Sequence, residues 1–288
     1  MNKQSIIALG ISLAILTSCG ESHTEESKSA AEATANEAKV SPDTGAVTAD
    51  EFARFKFDFA IDNIPSPAQI VNDMAAFNLT YNPAFLNETK KVGTYHTEFA
   101  KAINLGVYNL DMAYAVANDK GVDVMKYMKT TLAEIDALGM KSAFNQFMGK
   151  RTETNIGNKD SLMKIIDELY VSGDTYLRTN QRLETATHIF IGSWVEALSI
   201  ICHTGNDENL ANAKTRVYKH LWEQRFYLKN IIDLLDSFKD KKEDADLIKD
   251  LSAIHKEIDE IKEAGAVTDE KFKSISVKIF VLRDKLTK

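Results

Sequence analysis

Cysteine is scarce. Cys19 and Cys202 are the only two, which excludes a disulfide framework and a cysteine-only zinc site. Proline is scarce as well, with four in the chain and none beyond Pro83, so over two hundred residues lack the strongest helix breaker. Basic residues are not in excess. The 35 Lys and Arg against 42 Asp and Glu leave a formal charge of −7, which argues against a broad cationic face for nucleic acid. Catalytic signatures are missing too: no Gly-x-Ser-x-Gly elbow, no glycine-rich phosphate loop and no dinucleotide fingerprint occurs. What is present, 44% hydrophobic and 27% charged residues, suits an ordinary globular chain.

The N-terminus reads as an address. Lys3 precedes an apolar run from Ile6 to Leu16. As a helix that run rises roughly 16 Å, short of a ~30 Å hydrocarbon core, so it predicts a signal segment and not a span. It ends in Leu16-Thr17-Ser18-Cys19, which resembles the bacterial lipobox. Small Thr17 and Ser18 would clear the cleavage site, and the Cys19 thiol would take the lipid. Residues 1–18 are therefore expected to be a lipoprotein signal peptide, with Cys19 the lipidated residue. Gly20 in place of an aspartate resembles an outer-membrane sorting signal, and Glu21, Glu25 and Glu26 resemble a surface-export signal. Either leads to a lipid-anchored envelope protein on the periplasmic or surface face of the outer membrane.

Residues 20–50 contain no Leu, Ile, Met or aromatic residue. Such a segment cannot bury enough apolar surface to offset its ordering entropy, so 19–50 is expected to be a disordered tether with a span of roughly 30 Å. Residues 51–288 then form a single domain. At its start Phe55, Phe57, Phe59 and Ile61 alternate with polar residues or alanine, the period of a strand. With no second strand to pair with, this segment is expected to lie as an extended arm on a helical body. Ser66 and Pro67 fit an N-cap and first turn, and Tyr81-Asn82-Pro83 ends the short helix they begin.

Helices are expected near 90–119, 121–138, 140–153, 158–182, 184–203, 207–239, 243–264 and 268–287. Asn158 and Thr268 are placed as N-caps, and Gly139, Gly205 and Gly265 as C-caps. The last three helices share a heptad seam. Val217, Leu221, Leu228, Ile231, Leu235 and Phe238 form the first, with Gln224 in one gap. Leu247, Leu251, Ile254, Ile258 and Ile261 form the second, and Phe272, Ile275, Ile279, Leu282 and Leu286 the third. Such seams joined by short loops predict an all-α antiparallel bundle of about eight helices. The charged run Lys239 to Asp246 is read as a solvated turn.

Two stretches, Phe99–Ala117 and Thr187–His203, are apolar nearly all round and belong at the centre of the domain. Gly106 and Gly192 would let neighbouring helices come close. Each stretch carries an isolated carboxylate, Asp111 and Glu196, which must be paired, neutral or facing a cavity. Asn104 and Tyr108 share a helical face with Asp111. Arg178 and Arg182, on the preceding helix, are the expected cationic partners, and Trp194 lies beside Glu196. These seven residues make either a structural polar network or a ligand pocket between the two helices. Glu184 and His188 share a face at i, i+4, but no Glu-x-x-His or His-Glu-x-x-His occurs, so no metal and no cofactor are expected.

Three stretches carry a family resemblance: Ile64-Pro65-Ser66-Pro67, Ala102 to Tyr114 (Ala-Ile-Asn-Leu-Gly-Val-Tyr-Asn-Leu-Asp-Met-Ala-Tyr), and Gly192-Ser193-Trp194-Val195-Glu196. Over roughly residues 52–203 the chain resembles a family of uncharacterised helical lipoproteins of Bacteroidota-type bacteria, with Ser193 where a second glycine is expected. The resemblance implies an all-helical envelope protein and no activity. The expected function is thus a non-catalytic helical binding or scaffold module with an envelope partner. The alternative is a small-ligand sensor or enzyme using the pocket between the central helices.

Overall fold

The structure is a computed structural model, in which residues 54–55, 57–58, 65–75, 81–144, 146, 148–206 and 211–288 are described. The expected signal peptide, Cys19 and the tether lie outside these residues. Every regular element among the described residues is a helix, so the body is all-α. The helices are α1 (Pro67–Ala75), α2 (Glu98–Ala117), α3 (Gly121–Ala137), α4 (Met148–Thr154), α5 (Lys159–Thr179), α6 (Leu183–Gly205), α7 (Ala211–Leu235), α8 (Lys242–Asp259) and α9 (Asp269–Leu286).

The caps explain several boundaries. Ser66 Oγ accepts from the Gln69 amide at 3.2 Å, Asn158 Oδ1 from Ser161 at 3.0 Å and Thr268 Oγ1 from Lys271 at 3.2 Å. Each satisfies an amide that an α-helix leaves unpaired at its start. Gly139 ends α3 at φ +70°, where the Met140 amide closes back on the Ile135 carbonyl at 2.9 Å. Two other expected caps are not caps. Gly205 is the last residue of α6, and a Cβ there would run into Phe272 of α9. Gly265 follows the end of α8 and sits in a 3-10 turn, Ala264–Ala266.

Three expected elements differ. The helix near 90–119 is split by Tyr95–Thr97 into a 3-10 turn, Thr89–Thr94, and α2, which Thr97 caps. The helix near 140–153 is cut to α4, after a 3-10 turn at Lys141–Ala143. Of the aromatic arm, Arg54, Phe55, Phe57 and Asp58 are described, and they are helical instead of extended. Phenylalanines at i and i+2 suit a strand only if both find apolar cover. Phe57 is fully buried under the Arg178 guanidinium, whereas Phe55 is exposed.

The three heptad seams are buried along nearly their whole length, and α6 through α9 alternate in direction. Glu196 of α6 meets Arg283 of α9, while Gly205 meets Phe272. On α8 and α9, Asp250 meets Lys285 and Glu257 meets Lys278. The two apolar rods are α2 and α6. Every residue from Ala102 to Val116 and from Thr185 to Cys202 is buried. By length and composition α6 could also cross a membrane, but 94% of its most apolar window is buried in the protein. The rods run parallel, because Phe99 faces His188, Gly106 faces Ser193 and Asp111 faces Glu196 at a nearly constant offset. The antiparallel expectation therefore describes sequence neighbours and not the central pair.

Candidate functional site

The carboxylates of the two rods meet at mid-height. Asp111 and Glu196 are fully buried, and one Asp111 oxygen accepts from the Asn87 amide at 3.0 Å. The other has no hydrogen-bond partner among the described residues. Burial first, and the Glu196 charge second, push the Asp111 carboxyl well above the usual range, which favours the neutral acid. Arg283 of α9 completes the group. Its Nε and Nη2 each donate to Glu196 at 2.8 Å, and Nη2 also donates to the Phe85 carbonyl at 3.2 Å. Burial works against the Arg283 charge, but the bonds it donates to Glu196 and the attraction of that carboxylate raise its pKa.

Around this core the chain ties its C-terminus to the loop before α2. Asn87 donates to Tyr95 at 3.0 Å and to Asn104 at 3.1 Å, and Asn104 donates to the carbonyls of Ala100 and Leu286 at 2.9 Å. Tyr108 donates to the Glu88 carbonyl and Tyr127 to that of Asn87. The expected partners are elsewhere. Arg178 pairs with Asp174 at 2.7 Å and with Asp58, and Arg182 pairs with Glu98 at 2.7 Å and caps the Leu138 carbonyl at 3.0 Å. Arg178 lies in the last turn of α5 and Arg182 just before α6, away from the mid-rod carboxylates. Trp194 donates to Gln224 at 3.0 Å, which is why a glutamine interrupts the α7 seam.

The two rods touch backbone to backbone at their glycines. The Gly106 backbone lies against the Ile189 carbonyl and that of Gly192 against Ile103, so a Cβ at either would overlap main-chain atoms. Asp111 and Glu196 are enclosed between the rods and α9.

Glu134 of α3 is a further buried carboxylate, with no hydrogen-bond partner for either oxygen among the described residues. Burial raises its pKa to about 7. The folded chain therefore holds a proton that the unfolded chain loses near pH 4.5, and stability falls as pH rises from about 4.5 through 7. Glu134→Met should flatten that decline and raise stability at pH 8 by about 2 kcal/mol. Urea titrations at pH 5 and pH 8 would show it.

An open site lies at one end of the bundle, where α2, α6 and α8 all begin. A cavity of about 400 Å³ is lined there by residues that include Glu98, Arg182, Glu184, Thr185, His188, Lys241 and Asp244. His188 and Asp244 are buried and paired, Nε2 to Oδ1, at 2.6 Å. The second Asp244 oxygen has no partner among the described residues. Lys241 donates to both Glu184 oxygens, at 2.7 and 2.5 Å. Glu98 accepts from Thr185 at 2.5 Å and from Arg182 at 2.7 Å, and these bonds, in that order, hold its pKa below the ordinary value. One atom each of Glu184, His188 and Asp244 lies within 4.8 Å of the other two, so these three could hold a metal.

Half of this site was in view in the sequence. Glu184 and His188 share a face as expected, but Asp244 falls in the run read as a solvated turn and is instead 1% exposed. A signal was there, since Asp244 stands three residues before Leu247 and seven before Leu251, in register with the α8 seam. In the cavity the Thr185 hydroxyl donates to Glu98 and not to His188. Cys202 is enclosed elsewhere in the core, where burial pushes its thiol up to about 12. No family model, curated protein or solved structure matches the chain, so the lipoprotein resemblance rests on the three stretches quoted above.

Proposed function

We propose that this chain is an envelope protein anchored through lipidated Cys19, whose helical body is a non-catalytic binding module. The binding site in this reading is the cavity at the start of α2, α6 and α8, and not the space between the central rods. One observation carries it: a cavity of about 400 Å³, within the size of small-ligand pockets, walled by charged groups of both signs that rigid helix ends hold in place. A polar solute fits such a wall better than an apolar one. Thr185, His188 and Asp244 form its buried floor, while Gln181, Glu243 and Lys241 stand exposed at its rim. Asp111 and Glu196, the expected alternative, are fully buried and do not line this cavity.

Two measurements test this reading. Cys19→Ala should move the protein from the membrane to the soluble fraction of cells. Binding is tested on the full chain in detergent, melted against amino acids, dicarboxylates, polyamines and divalent metal salts. At least one should raise Tm, and Gln181→Trp, which crowds the rim from an exposed position, should abolish the rise. If no compound shifts Tm, the binding reading fails.

A further inference from the structure

The cavity floor brings together an imidazole and two carboxylates from separate helices. Glu184 and His188, one turn apart, project from a helix buried almost throughout, and Asp244 comes from the first turn of α8. We propose that Glu184, His188 and Asp244 bind a divalent transition-metal ion of the zinc or manganese class, leaving an open coordination position toward the cavity. This assignment rests on reading the cavity as the binding site.

Four features support it. One ligand atom from each residue falls within 4.8 Å of the other two, a spacing that small side-chain rotations can close around one ion. Asp244 lines the cavity, and its second oxygen is buried with no hydrogen-bond partner among the described residues, a costly arrangement for a carboxylate that a cation would relieve. The donor set, one imidazole and two carboxylates, has a charge of −2 with neutral histidine, which matches a divalent ion. Imidazole nitrogen favours a transition metal over calcium or magnesium. Finally, a cation already sits at the edge of the cluster, because the Lys241 ammonium grips both Glu184 oxygens.

Lys241 makes the assignment unusually testable. Its side chain is 61% exposed, so it can swing into solvent when an ion takes Glu184. It is therefore a competitor for the metal and not a ligand. Removing it should strengthen binding, the reverse of what loss of a ligand would do.

The full chain, stripped with a chelator and exchanged into metal-free buffer, would be titrated calorimetrically with Zn²⁺ and, separately, Mn²⁺. One ion per chain should bind for at least one of the two. Glu184→Gln should weaken it at least tenfold, and Lys241→Met should tighten it several-fold. Glu184 is only partly buried, so the apo Tm of Glu184→Gln serves as the folding control; His188→Gln and Asp244→Asn should also lose binding. Absence of binding by either ion, or binding unchanged in Glu184→Gln and Lys241→Met, would overturn the proposal. An organic solute that raises Tm while both metal titrations stay flat would sink the metal site and leave the binding module standing. Failure of every compound would remove both.

Discussion

Gly106→Ala and Gly192→Ala should each destabilise the body by about 4 kcal/mol or more, enough to leave many chains unfolded at 37 °C. An added methyl in a packed core usually costs about 1–3 kcal/mol, because side chains can shift to make room. Here the obstacle is backbone. The Cβ of residue 106 would meet the Ile189 carbonyl and the Ser193 amide, and that of residue 192 would meet Ile103. Neither strand of main chain can move without carrying a rod of fully buried residues with it. The Ser193 hydroxyl adds to the lock by donating to the Gly106 carbonyl at 2.9 Å. Gly149→Ala is the control, since its Cβ would meet only the tip of Leu132 at 3.6 Å. Guanidinium unfolding of the three variants should leave Gly149→Ala within about 1 kcal/mol of the parent chain. If Gly106→Ala behaves like Gly149→Ala, the close parallel packing of α2 on α6 is wrong.

What could be read from the sequence, and what could not, divides along physical lines. Apolar periodicity reports which face of a helix leaves water, and the seams of α7, α8 and α9 follow it almost residue for residue. Short-range caps are equally legible, because Asn158 and Thr268 act on amides three residues away. Direction is not legible for α2 and α6: three helices separate them, and nothing local sets whether they run parallel. Long-range charge pairing is invisible for a related reason. Arg178 and Arg182 are near Glu196 in sequence, but the cation that reaches it is Arg283, from the last helix. Arg283 carried a faint sign, standing four residues after Ile279 and three before Leu286 on the buried stripe. Asp244 carried a similar sign within a run of charges. In both places a charge in register with a seam marked burial, and composition alone suggested solvent.

Arg283→Met should cost about 3–5 kcal/mol, the range for stranding a buried charge by removing its partner. The fold cannot answer by letting water in, since Glu196 is fully enclosed. It also loses the bond from Arg283 to the Phe85 carbonyl. Adding Glu196→Gln to Arg283→Met should recover part of the loss, and that recovery in a double-mutant cycle is the signature of direct coupling. Asp111→Asn should behave differently from Glu196→Gln. Asn87 donates to one Asp111 oxygen, the raised pKa favours the neutral acid, and asparagine is the neutral isostere that keeps that acceptor. Its stability at pH 7 should therefore equal or exceed that of the parent chain, whereas Glu196→Gln loses the charge that two Arg283 bonds require. The pH dependence gives the sign independently. With its pKa raised, Asp111 keeps a proton in the folded chain that the unfolded chain releases, so its contribution is complete below about pH 4 and is lost as pH rises. Asp111→Asn should reduce that loss, read as a smaller fall in urea midpoint between pH 5 and pH 8. A steeper fall, or a large loss of stability at pH 7, would mean that Asp111 is ionised in the folded chain.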